Sequence, residues 1–125
     1  MSSPRPVMLL ALGQSGWEAE VIANVVSALP DVDVRRTVGV SDLLAVATAA
    51  DVRAVVLDAN FPRLDASVVA KLADFDVAMF GLAADASELQ RLEGLGIETI
   101  VPVVSGEVPE AVEQICSHWG HTRTQ

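Results

Sequence analysis

The sequence predicts a doubly wound α/β domain: a five-stranded parallel sheet with helices on both faces. Three observations carry that expectation. Short apolar, β-branched runs alternate strictly with longer stretches at helical spacing. Ala54–Leu57 and Val77–Leu82 are continuous apolar runs, the mark of strands buried on both faces. Proline, glycine and capping aspartates punctuate the alternation at Pro30, Asp65, Asp85, Gly96 and Pro102. Right-handed crossovers leave such an alternation little alternative to a parallel sheet. Five repeats in 125 residues fit the flavodoxin-like strand order 2-1-3-4-5.

The elements follow in order. Val7–Leu12 reads as the first strand, with the turn Gly13-Gln14-Ser15-Gly16 after it. Trp17–Leu29 places Val21, Ile22, Val25, Val26 and Leu29 on one helical face, and Pro30 stops it. Asp31–Thr37 alternates as a half-exposed strand. Ser41 is the expected N-cap of a helix over Asp42–Ala50. Ala54–Leu57 is the third strand, and a helix over Asp65–Ala73 follows with Asp65 as its cap. After strand four, Asp85 caps a helix that runs to about Leu95, where Gly96 takes the left-handed closing position. Glu98–Val101 is the fifth strand, and Glu107–Trp119 the last helix. Residues 1–119 form the expected domain, and the polar segment 120–125 a tail or the start of a linker to a further domain.

Composition narrows the function classes. The chain is 51% apolar, enough to bury a core without disulfides or a structural metal. A formal charge of −9 argues against nucleic acid and against an anionic membrane surface. No run reaches the ~18 apolar residues of a membrane span, so no direct membrane insertion is expected. The single cysteine, Cys116, excludes an internal disulfide and suits a reducing cytoplasm, where it is expected as a packed thiol.

The chemistry is concentrated in Val55-Val56-Leu57-Asp58-Ala59-Asn60-Phe61-Pro62-Arg63-Leu64-Asp65. An apolar run, an aspartate, a proline four residues later and an acid three beyond that resemble the frame around the phospho-accepting aspartate of CheY-like response-regulator receiver domains. The resemblance implies a set of helpers. Receivers carry an acidic metal-binding pair after strand one, a Thr or Ser ending strand four, and a lysine just before the proline that ends strand five. At the matching places stand Ala11-Leu12-Gly13-Gln14, then Gly81 and Leu82, then Val101 before Pro102. The only lysine, Lys71, lies on a helix at the other end. A phosphoryl group on Asp58 would have neither metal nor cation to neutralise it. Asp58 is therefore expected as a structural acid bonding loop amides, with Pro62, Asp65, Gly81, Val101 and Pro102 as remnants of the motif. The competing reading is a working receiver phosphorylated on Asp58.

Other motifs carry less. Gly13–Gly16 is neither a GxGxxG fingerprint nor a P-loop, and Ser15 lacks the GxSxG spacing of a nucleophile elbow. His118 and His121 have no ligand set around them, so no metal and no cofactor are expected. Phe61 reads as a loop anchor or an exposed contact. Val108, Val112, Ile115 and Trp119 share the stripe of the last helix and are taken as a possible interface.

A narrower resemblance rests on Gly16-Trp17-Glu18, Val34-Arg35-Arg36, Ser41-Asp42-Leu43-Leu44, Ala54-Val55-Val56-Leu57, Pro62-Arg63-Leu64-Asp65 and Leu95-Gly96-Ile97. Together these resemble the amino-terminal domain of actinobacterial TadZ/CpaE-like proteins, relatives of MinD and ParA. That resemblance implies a non-enzymatic pseudo-receiver ahead of a deviant-Walker ATPase domain in cis. It implies a protein partner or a homodimer, and a cytoplasmic parent at a pole or septum that serves Flp-type pilus assembly or septum-site positioning. A small-ligand site at the strand-order switch point is the remaining alternative.

Overall fold

A computed structural model describes residues 6–13, 18–49, 52–61, 63–75, 77–97, 99–103 and 107–123. Among them, strands and helices alternate as β1 (Val7–Ala11), α1 (Glu18–Ala28), β2 (Asp33–Thr37), α2 (Val40–Ala49), β3 (Val52–Asp58), α3 (Ala66–Asp74), β4 (Ala78–Ala83), α4 (Ala86–Gly94), β5 (Thr99–Pro102) and α5 (Val108–Arg123). All pairings are parallel, in the order β2-β1-β3-β4-β5. This is the CheY-like flavodoxin fold that the alternation predicts.

Side chains leave a strand alternately to its two faces, so the sheet sorts its residues into two layers. Leu9, Val55 and Leu57 face α2, α3 and α4, where they meet Leu43, Val69, Leu72 and Leu92. Met8, Leu10, Val56 and Leu82 face α1 and α5, where Val21, Val25, Val108 and Val112 cover them. The apolar stripe of α5 is thus core: Val108, Val112 and Ile115 are at most 3% exposed. The expectation that these three form an interface is corrected, because α1 and the sheet already occupy that stripe. Trp119 lies within α5, and its side chain is outside the described residues.

Local capping sets most boundaries. Asp65 accepts a 3.0 Å hydrogen bond from the Val68 amide and Asp85 one of 2.9 Å from Glu88, both as expected of N-caps. Each is worth about 1 kcal/mol. At the end of α4, Gly96 sits at φ +98. Its amide bonds the Glu93 carbonyl and the Ile97 amide the Leu92 carbonyl, the double closure of a Schellman ending. Several strand ends shift by one or two residues, and two helix boundaries differ from expectation for a physical reason. Helix α2 starts at Val40, ahead of Ser41, and Asp42 instead reaches back to the Val38 amide at 3.2 Å. Helix α5 continues to Arg123, so residues 120–123 extend the last helix where a tail was expected. A glycine at 120 lowers helix stability by only about 1 kcal/mol, which does not by itself end a helix.

Candidate functional site at the strand ends

Strand β3 carries Asp58 to the carboxyl end of the sheet, near the point where strand order switches between β1 and β3. There the side chain is fully buried, and among the described residues only Thr37 is another buried polar group. A buried carboxylate needs hydrogen bonds to offset its lost hydration. Asp58 has them on both oxygens: Oδ2 accepts from the Gly13 amide at 3.1 Å, and Oδ1 from the Asn60 amide at 2.9 Å. Its own carbonyl accepts from the Phe61 amide at 3.0 Å. Asp58 therefore ties the loop after β1 to the loop after β3, which is the structural role its sequence surroundings suggest.

Gly13 is the partner that sequence reasoning missed. A Cβ there would stand 2.3 Å from the Asn60 carbonyl oxygen, a clash with backbone rather than with a movable side chain. Only glycine lets the two loops approach closely enough for Asp58 to bridge them. An acidic side chain at that place, as a receiver's metal pair would supply, does not fit this loop arrangement.

The bonding continues outward. The Asn60 side-chain amide donates to Glu88 Oε2 at 3.2 Å, and Glu88 Oε1 accepts from the Ala84 amide at 2.8 Å. Asp58, Asn60 and Glu88 so form a chain from the centre of the sheet to the first turn of α4. Glu88 carried no sequence signal beyond its place three residues after a cap. Neither it nor Asn60 was singled out by the motif.

Toward the other edge of the sheet the row changes character. Asp58 is level with Leu82 of β4, and Leu82 with Val101 of β5. Both neighbours are at most 1% exposed. Leu82, rather than Gly81, shares the row and the face of Asp58. Gly81 is level with Leu57 and faces Leu92, Ile97 and Ile100. Pro102 ends β5 level with Ala83 and is exposed. Pro62, Trp17 and the turn residues 14–16 lie outside the described residues, as do the side chains of His118 and His121. Among the described residues no group of three or more His, Cys, Asp or Glu side chains comes together as metal ligands would.

Phe61 proves to be the loop anchor, 1% exposed and packed on the α2–α4 layer. Beyond it, Arg63 is exposed with φ 60, a left-handed backbone that costs a non-glycine residue about 1–2 kcal/mol. Between this loop and α4 lies an open depression of about 510 Å³, with Asn60, Phe61, Arg63, Asp85, Glu88 and Arg91 in its lining. Cys116 is half-buried, and burial pushes its thiol pKa up, away from the reactive thiolate.

No helix among the described residues is long and apolar enough to cross a membrane. No family model and no curated protein matches the chain. Solved structures do match its fold. The receiver domain of an HD domain-containing protein from Pseudomonas fluorescens is 18% identical, with a TM-score of 0.65, covering 94% of this chain and 99% of that one. A response regulator in red light signaling of R. palustris is 21% identical, with a TM-score of 0.66, covering 91% of each chain. The N-terminal domain of an uncharacterized protein from Wolinella succinogenes is 8% identical, with a TM-score of 0.64, covering 96% of this chain and 95% of that one. The strand order, the receiver-like frame around Asp58 and these likenesses agree: the chain has the fold of a CheY-like response-regulator receiver domain.

Proposed function

We propose that the chain is a phosphorylation-independent pseudo-receiver, a module that holds a protein partner or a second copy of itself. The observation that carries this reading is the state of Asp58. Phosphoryl capture needs a carboxylate oxygen free to attack and a cation to take up the developing charge. Here both oxygens already accept from backbone amides, one buried and one partly buried, and the row toward β5 continues as Leu82 and Val101. Receiver domains are in general signal modules rather than enzymes, and this reading requires no catalysis.

The test uses the two amides as reporters. Acetyl phosphate or beryllofluoride is added with excess magnesium while the Gly13 and Asn60 amide resonances are followed by NMR. Neither should move. A shift that disappears in Asp58→Asn would establish the working receiver instead.

The same reading extends to the parent protein, as a TadZ/CpaE-like ATPase with its ParA/MinD-type domain in cis and a role in pilus assembly or in septal or polar positioning. The six segments that resemble that family support it. Two of them frame structural features, Pro62–Asp65 leading into the α3 cap and Leu95–Ile97 closing α4. The expected finding is a deviant P-loop encoded downstream of Gln125; an unrelated downstream domain would remove this extension and leave the module reading in place.

A further inference from the structure

Arg63 stands where a glycine would be held with less strain. Its backbone is at φ 60, a region that any residue with a Cβ enters at a cost, and its side chain is exposed. Neither an ion pair nor a hydrogen bond with the described residues offsets that cost. A strained position whose side chain does nothing for the fold points to a role outside the chain's own packing.

Arg91, on α4, is unpaired for a different reason. A glutamate one turn earlier is a natural partner for a helical arginine, and Glu88 occupies that place. Both of its carboxylate oxygens are already taken, Oε1 by the Ala84 amide and Oε2 by the Asn60 side chain. Asp85 in turn accepts from the Glu88 amide as the cap of α4. Arg91 is left exposed, with no ion pair or hydrogen bond among the described residues.

The two guanidiniums line the same depression of about 510 Å³, Arg63 from the loop after β3 and Arg91 from the helix. That is room for a small molecule. In a chain with 17 acidic residues against 8 Lys and Arg, two free guanidiniums around one hollow concentrate unpaired positive charge. The rest of the lining decides which anion fits. Phe61 is 1% exposed and packed into the core, so it offers no open ring on which a base could stack. Asp85 and Glu88 lie in the same lining, so a compact dianion such as phosphate would bring its whole charge near two carboxylates. A dicarboxylate divides its charge, one group to each guanidinium, and each pair takes the planar two-bond geometry that arginine and carboxylate share. We infer that the depression binds a small organic dicarboxylate spanning Arg63 and Arg91, with the exposed Ser87 hydroxyl beside it. The inference goes beyond the interaction-module reading and does not depend on it.

A length series tests it. Malonate, succinate, glutarate and adipate are titrated into the full, isotopically labelled chain at constant ionic strength, with acetate and inorganic phosphate as comparators. The side-chain Nε–H signals of Arg63 and Arg91 are followed by NMR. Both should shift together and saturate, with one diacid length preferred because two anchored cations set the span. Acetate, which can engage only one arginine at a time, should bind roughly tenfold more weakly, between the worth of an exposed ion pair and that of a charge-assisted hydrogen bond. Arg63→Gln and Arg91→Gln should each reduce the preferred diacid to the level of acetate and erase the length preference. Neither side chain bonds to the described residues, so amide signals away from the depression should stay in place and report that both variants are folded. No saturable shift with any diacid at tens of millimolar overturns the inference. So does an acetate response equal to that of every diacid, tighter binding of phosphate than of any diacid, or binding that survives the loss of either arginine. None of these outcomes bears on the module reading, which stands or falls on the response at Asp58.

Discussion

Two halves of one row at the carboxyl end of the sheet have taken opposite solutions. From β1 to β3 the row is polar and cross-linked, with Asp58 bonded to the Gly13 and Asn60 amides. From β4 to β5 it is dry, with Leu82 and Val101 closed into the core. A working receiver needs polar chemistry across the whole row, since the transferred group must meet a metal, a hydroxyl and a cation at once. Here the aspartate joins two loops, and its neighbours in the row are packed apolar side chains. On the pseudo-receiver reading, the contrast means that a motif residue can serve the fold where the other groups of the reaction are missing.

The comparison breaks most clearly if Asp58 can be removed cheaply. Asp58→Ala leaves two amides at a buried site without acceptors, at a cost of about 1–3 kcal/mol each. The expected loss is about 2–5 kcal/mol in urea unfolding, with Asp58→Asn in between because it keeps one acceptor oxygen. A change below about 0.5 kcal/mol would mean that the bridge contributes nothing and that Asp58 is held for another purpose.

The glycines flanking the row sharpen the same point at smaller cost. Gly13→Ala drives a methyl group into the Asn60 backbone, and overpacking of this kind costs about 1–3 kcal/mol or more. Gly81→Ala meets only side chains, with Leu92 Cδ1 at 3.0 Å and Ile97 Cγ2 at 3.3 Å, which can yield by a few tenths of an ångström. The expected loss there is about 1 kcal/mol or less. Equal costs in thermal or denaturant unfolding would show that the close approach at Gly13 is not special to the polar half.

What was legible in the sequence was what neighbours along the chain decide. The strand alternation, the caps at Asp65 and Asp85 and the closure at Gly96 depend on residues a few positions apart, and the structure has each of them. The Ser41 cap failed because Gly39 accepts the Leu43 amide, while Asp42 turns back on Val38. The Asp58–Gly13 bond spans 45 positions and depends on two loops meeting in space, so no local pattern announces it. The stripe Val108, Val112, Ile115 was visible as apolar, but periodicity does not say what covers a stripe; here α1 does. Arg63 and Arg91 share a depression because the loop after β3 folds against α4, although 28 positions separate them in the chain.

The smallest expected effect concerns the acidic start of α5, where two influences oppose each other. The helix N-terminus favours a carboxylate at Glu110, but Glu107 and Glu113 disfavour it, and the raised pKa shows which prevails. An acid whose folded-state pKa lies above its unfolded value binds its proton more tightly when folded. Its charged form therefore lowers stability as pH rises from the ordinary value of 4.5 through the raised value, and the loss is complete above it. Glu110→Gln removes that loss. Wild type and variant should differ little below pH 4.5, and the variant should become slightly the more stable toward neutrality, with salt shrinking the gap because the stripe is exposed. Unfolding midpoints across that range, taken on dilute protein, read the difference. A variant no more stable than the wild type near neutrality would mean that the three glutamates do not disfavour one another's charge in the folded chain.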